Sequence, residues 1–130
     1  MKKYLLFLAI GFALASCKKD SSNISSGLFG KWELRSRSGG FTGITTKYAA
    51  GNGEIYQFNG DSTYTFTEKD RLIGSGGFRI NITSKEKDRQ YGTIKFDGVD
   101  DDEMFTAKAD TISIGTVYAD GMISTYVKIK

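Results

Sequence analysis

An all-β fold of about eight strands is what this sequence predicts, closing into an antiparallel up-and-down β-barrel, with a two-sheet β-sandwich as the alternative. Two observations predict it. Beyond Gly27 no segment keeps its apolar residues at helical spacing; they alternate with polar residues at period two. Each alternation is then broken by Gly, Asp or charged turn signals at hairpin distance from the next. Eight hairpin-linked strands with one apolar face close naturally into a barrel that is filled or holds one small ligand.

In chain order, Trp32 and Leu34 alternate with Lys31, Glu33 and Arg35 in the first strand. Tyr56 and Phe58 lead into the turn Asn59-Gly60-Asp61, after which Tyr64 and Phe66 alternate with Thr63, Thr65 and Thr67. Lys69-Asp70 reads as a turn, and Phe78, Ile80 and Ile82 form the next apolar face. Past the charged turn from Lys85 to Arg89, Ile94 and Phe96 mark another strand. An acidic turn around Asp100 precedes Phe105 and Ala107, followed by Ile112 and Ile114. In the last strand Ile123, Thr125, Val127 and Ile129 oppose Ser124, Tyr126, Lys128 and Lys130, which predicts the first set inside. The alternations are shorter than the ~9–11 residues of a membrane-spanning strand, so the apolar face is read as the interior.

Composition removes several function classes. The 130 residues include no His and one Cys, so no His-based nucleophilic enzyme, intrachain disulfide or multi-cysteine zinc site can be built. Two of the 18 basic residues, Lys2 and Lys3, lie in the first sixteen positions; beyond them the chain is nearly neutral and gives no electrostatic reason to bind nucleic acid.

The start of the chain has its own logic. Met1-Lys2-Lys3-Tyr4 is followed by an unbroken apolar or Gly run from Leu5 to Ala15, too short for the ~20-residue helix that crosses a bilayer but suited to a secretory signal. Leu14-Ala15-Ser16-Cys17 resembles the lipobox of bacterial lipoproteins. That resemblance implies a signal peptide over 1–16, lipid attachment and acylation (palmitate-type chains) at Cys17, and a membrane partner reached through that residue. Two or more acyl chains hold a protein durably on a bilayer. In that family Lys18, rather than an Asp, points to the outer membrane of the cell envelope, facing the periplasm or the cell surface. Residues 17–27, polar and small after the Cys, read as a flexible tether, and the folded domain spans 28–130.

Leu28-Phe29-Gly30-Lys31-Trp32-Glu33-Leu34 resembles the Gly-x-Trp opening of the lipocalins, and Tyr64-Thr65-Phe66-Thr67-Glu68 and Asp120 to Lys128 are similar to strands of lipocalin-like domains in small Gram-negative lipoproteins. The resemblance implies that Gly30 bends the chain into the first strand, that Trp32 plugs the barrel floor, and that Lys128 or Lys130 supplies a cation over that ring.

Two functions follow as expectations. The first is binding of a small, mostly apolar ligand within the barrel, lined by Phe41, Tyr48, Tyr56, Phe58, Tyr64, Phe66 and Phe78. Phe41 and Tyr48 lie in the longest connection, Gly39 to Gly53, whose five glycines suit a lid over one end of the barrel. The alternative is a solid barrel acting as a protein-interaction or inhibitor module. A connected void of roughly 300 Å³ or more separates the two. The Asp97 to Glu103 run lacks the spacing of an EF-hand and reads as a solvated turn, and Gly74 to Gly77 has no following Lys and helix for phosphate. No Asp or Glu is seen to interrupt the apolar face. No catalytic residue, metal or cofactor is therefore assigned, and a monomer is expected.

Overall fold

The computed structural model describes residues 26–116 and 118–130. The expected signal peptide over 1–16, the expected lipidation site Cys17 and the expected tether as far as residue 25 lie outside them. A single 3-10 turn, Ser26–Leu28, leads into β1 (Gly30–Gly39). There follow β2 (Thr45–Lys47), β3 (Glu54–Phe58), β4 (Thr63–Glu68), β5 (Arg71–Glu86), β6 (Arg89–Phe96), β7 (Glu103–Lys108), β8 (Thr111–Gly115) and β9 (Met122–Ile129).

From β3 onward each strand pairs antiparallel with the next, and β9 returns to β1. Lys31 lies opposite Ile129 and Gly39 opposite Met122, so this seam runs the length of β1. Closure decides between barrel and sandwich: eight strands form one closed up-and-down barrel. The short β2 is an addition, paired to β1 from Ser36 to Ser38, on the edge that β3 occupies from Gly30 to Glu33.

Register carries the interior around the ring. Trp32 faces Tyr56, Tyr56 faces Phe66, Phe78 faces Phe96, Ile80 faces Ile94, Phe105 faces Ile114, and Ile112 faces Tyr126. Because directly opposed residues share a face of the sheet, these pairs form one continuous lining. Trp32, Leu34, Phe58, Ile94, Phe105 and Ile112 are its fully buried members.

Two local features depart from the alternation. β5 begins at Arg71, well before Phe78, because Gly74, Ser75, Gly76 and Gly77 pair with β4 in spite of their poor strand propensity. Asp97 secures this stretch: its carboxylate accepts from Gly77 N at 3.2 Å, and its own N–H donates to Gly77 O at 2.9 Å. A Cβ at Gly77 would occupy the position of that carboxylate.

The last strand is turned round relative to expectation. Tyr126 lies opposite Leu34 and is buried, Lys128 lies opposite Trp32, and Ile123 is 39% exposed. Its inner face is therefore Ser124, Tyr126 and Lys128, not Ile123, Thr125, Val127 and Ile129. The facing of a strand is set by its register with both neighbours, and β9 has neighbours on two sides whose inner faces were already fixed.

Candidate functional site

The barrel has two chemically different ends. At the floor, where the chain enters, Gly30 adopts φ +126°, and a Cβ there would lie 3.2 Å from Lys128 Cε, so glycine suits both the conformation and the space. The Trp32 indole N–H donates to Leu28 O at 2.7 Å, which ties the 3-10 turn to the first strand. Lys128 Nζ lies 5.4 Å from the centroid of the Trp32 ring and donates to Gly27 O at 2.6 Å. The ammonium thus meets an aromatic face and a carbonyl together.

The interior above the floor is packed with rings. Tyr56 stacks on Phe58 at 5.6 Å and on Phe96 at 5.6 Å, lies 4.6 Å from Phe66, and meets Tyr126 edge-on at 5.3 Å. Phe58 meets Phe78 edge-on at 4.9 Å, and Tyr64 lies 4.6 Å from Phe96. Tyr56, Phe58, Tyr64, Phe66 and Phe78 are therefore brought together, as neighbours that fill one another's space. A cavity of about 130 Å³ reaches the buried core, and it opens at the floor.

The other end carries the loops and an inward-facing polar rim. Glu54 is two residues before Tyr56 on β3, Glu68 lies directly across from it, and Glu103 lies opposite Ile94. Arg37 pairs with Glu54, and its guanidinium sits 5.5 Å over the Tyr48 ring. Simple alternation from Trp32 and Leu34 would turn Arg37 outward. The register shifts between Leu34 and Ser36, so Arg37 lies opposite Ser124 on the inner side. Acidic residues thus do terminate the apolar face, contrary to the sequence reading. Burial pushes the Glu103 carboxyl above its usual range. Burial, followed by the neighbouring Tyr126 and Glu103, raises the Tyr56 phenol, and burial pushes Tyr126 up to about 12. All three thus hold their protons more readily than in water, because burial disfavours the charged form.

The long connection, expected as a lid, reaches the interior only at Tyr48. Tyr48 packs half-buried against the core, and its N–H donates to Arg35 O at 2.8 Å. Residues 49–53 fold down the outside of β1 instead of across the mouth. Glu33, an outward position, is buried beneath them and accepts from Gly51 N at 3.1 Å, Gly53 N at 3.3 Å and Arg35 Nη1 at 2.7 Å. Burial opposes the charged form, but the Arg35, Gly51 and Gly53 hydrogen bonds outweigh it and hold this carboxyl below its usual range. Asn52 adds a bond to Leu34 O at 2.7 Å. Phe41 corrects the expectation most sharply: it is 99% exposed and lines no interior. With glycines at positive φ at 39, 40 and 43, its turn swings away from the barrel.

Phe41 has exposed company. Gly40 N donates to Gly121 O at 3.3 Å, so the β1–β2 and β8–β9 connections stand side by side. Together they present Phe41, Ile44, Tyr118 and Met122, all exposed, and a surface cleft of about 340 Å³ runs between Gly40, Phe41, Ala119 and Asp120. The Tyr118 hydroxyl reaches Asp101 at 3.4 Å, which joins the acidic β6–β7 connection and its exposed Val99 to the same end. Nothing in the sequence pattern marked Glu33, Arg37, Glu54, Glu103, Tyr118 or Tyr126 as a group. The available signal was the run of turns that share this end of a meander.

The chain matches no protein-family model, no curated protein and no solved structure. Among the described residues no group of three or more His, Cys, Asp or Glu could hold a metal ion.

Proposed function

We propose that this protein is a membrane-tethered, lipocalin-like lipoprotein of the cell envelope whose barrel is a solid scaffold and whose loop end binds a protein partner. The packed interior is the observation that carries this reading. Rings at 4.6–5.6 Å fill the space where a ligand of ordinary size would sit, and the void at the floor is about 130 Å³, below the roughly 300 Å³ at which such pockets begin. A cleft of about 460 Å³ at the mouth is larger, but Asn52, Glu54, Glu68, Lys69 and Arg71 line it, with no apolar residue among them. The exposed apolar end supports it further. Single exposed apolar residues are ordinary, whereas Phe41, Ile44, Tyr118 and Met122 on paired connections form a patch. Asp101 and Asp120 border it, so the partner surface it suits is apolar with a basic rim.

The tether reading fits the same geometry. The described chain enters at the floor, the end opposite the loops, so a tether from Cys17 would join the barrel at the end away from the exposed apolar patch. Photo-cross-linkers at positions 41 and 118 in the host envelope should capture a defined protein, and one at position 87 on the opposite end should not. The double variant Phe41→Ser, Tyr118→Ser should lose a partner trapped from position 44 while keeping its urea midpoint. Copurification of a stoichiometric lipid-like molecule, with equal cross-linking from both ends, refutes the scaffold reading. Cys17→Ser should accumulate as an unprocessed precursor without labelled fatty acid; normal processing and labelling would remove the tether.

A further inference from the structure

We infer that the floor cavity is a binding site for a one-ring aromatic molecule bearing a hydrogen-bonding substituent. The cavity lies at the end of the barrel opposite the loops, so the inference stands apart from the protein-partner reading. Its walls are Leu28, Trp32, Phe105 and Ile112, each at most 4% exposed, with Ala107 between them. Its rim is Asp88, Gln90 and Lys108.

The hole has an identifiable origin. Ala107 faces Ile112 on one side and Gln90 on the other, an inward position filled by a single methyl while its neighbours carry large side chains. Any larger apolar residue there would close the space, so this sequence leaves open what a core would ordinarily fill. An enclosed apolar cavity of ~150 Å³ stays dry and accepts benzene; this one, about 130 Å³, has an apolar inner wall and opens at a polar rim, so it suits one six-membered ring inserted from that side.

The polar groups dictate which way such a ring enters. The Trp32 N–H is already spent on Leu28 O at 2.7 Å, so the inner walls offer apolar surface and no unpaired donor. At the rim, Lys108 Nζ lies 3.2 Å from Asp88 Oδ2, an exposed pair that offers both a donor and an acceptor. A ring buried first, with a hydroxyl left at the rim, satisfies both regions.

Benzene and phenol, titrated into the full chain and followed by the methyl resonances of Ala107 and Ile112, test this. Saturable shifts are expected, with probe-to-methyl Overhauser contacts at both residues. Phenol should bind about tenfold tighter than benzene, the worth of one net hydrogen bond. Ala107→Leu should abolish the saturable shift while its urea midpoint stays level or rises. If that variant does not fold, the Overhauser contacts in the unaltered chain decide. Absence of saturable shifts, equal affinity for the two probes, or contacts located at the loop end would each overturn the inference.

Discussion

Glu33→Ala tests the account of how the long connection is held. Glu33 is 4% exposed and its carboxylate accepts from Arg35 Nη1, Gly51 N and Gly53 N, so its removal strips two loop amides of their partner and leaves Arg35 Nη1 with Leu34 O alone. Bonds to a charged acceptor are worth about 1.5–3 kcal/mol each at best, and water recovers part of this because the loop donors lie near the surface. A net loss of about 2–3 kcal/mol is expected. With a urea m-value of about 1–3 kcal/mol per molar, the midpoint should fall by roughly 0.7–3 M at pH 7. Glu33→Gln, which keeps the shape and loses the charge, should fall by less.

The pH dependence has a definite sign. The folded-state pKa of Glu33 is lowered, so its contribution is fully present above the unfolded value of ~4.3 and is lost as pH falls through the lower folded value. The gap between wild type and Glu33→Gln should therefore narrow in acid. Amide exchange of Gly51 and Gly53 should accelerate in Glu33→Ala ahead of global unfolding. An unchanged midpoint at pH 7 with unchanged exchange at both glycines would refute the reasoning.

Two further outcomes are expected. Glu103 has its folded pKa raised by burial, so its ionised form opposes folding above that value; Glu103→Gln should raise the urea midpoint at pH 7 and lose that advantage in acid. Trp32→Ala removes the ring that seals the floor and should cost ~3–5 kcal/mol; a midpoint within error of wild type would show that the floor does not depend on it.

Much of the fold was legible because a strand writes its two faces into alternate residues. Tyr56, Phe58, Tyr64, Phe66 and Phe78 are neighbours in space because the hairpins that join their strands are short. The turn at Lys69 and Asp70, both at positive φ, was equally visible as a pair of polar residues between two strands. The floor was legible too, since Gly30 and Trp32 lie at the first point where the chain enters a strand.

The site was not legible, and the reasons are local. Alternation read outward from Trp32 puts Arg37 in solvent, and one register shift after Leu34 returns it to the mouth beside Glu54. Such a slip changes no residue type, so composition carries no trace of it. In β9 both faces carry apolar groups, and only pairing with β1 and β8 selects Tyr126 and Lys128 for the inside. Glu33 sits at an outward position yet is buried, because residues 49–53, sixteen to twenty positions away, close over it.

The sequence by itself determined the strand class, the hairpin order, the absence of His chemistry and the residues available to fill a barrel, since these depend on side-chain type and spacing along the chain. The tertiary structure alone decided that β9 meets β1, that the aromatic face packs solid, that Phe41 points to solvent and that Ala107 leaves a void beside Trp32. Each depends on which residues lie across from one another in three dimensions, and packing at van der Waals distance is a property of those pairs.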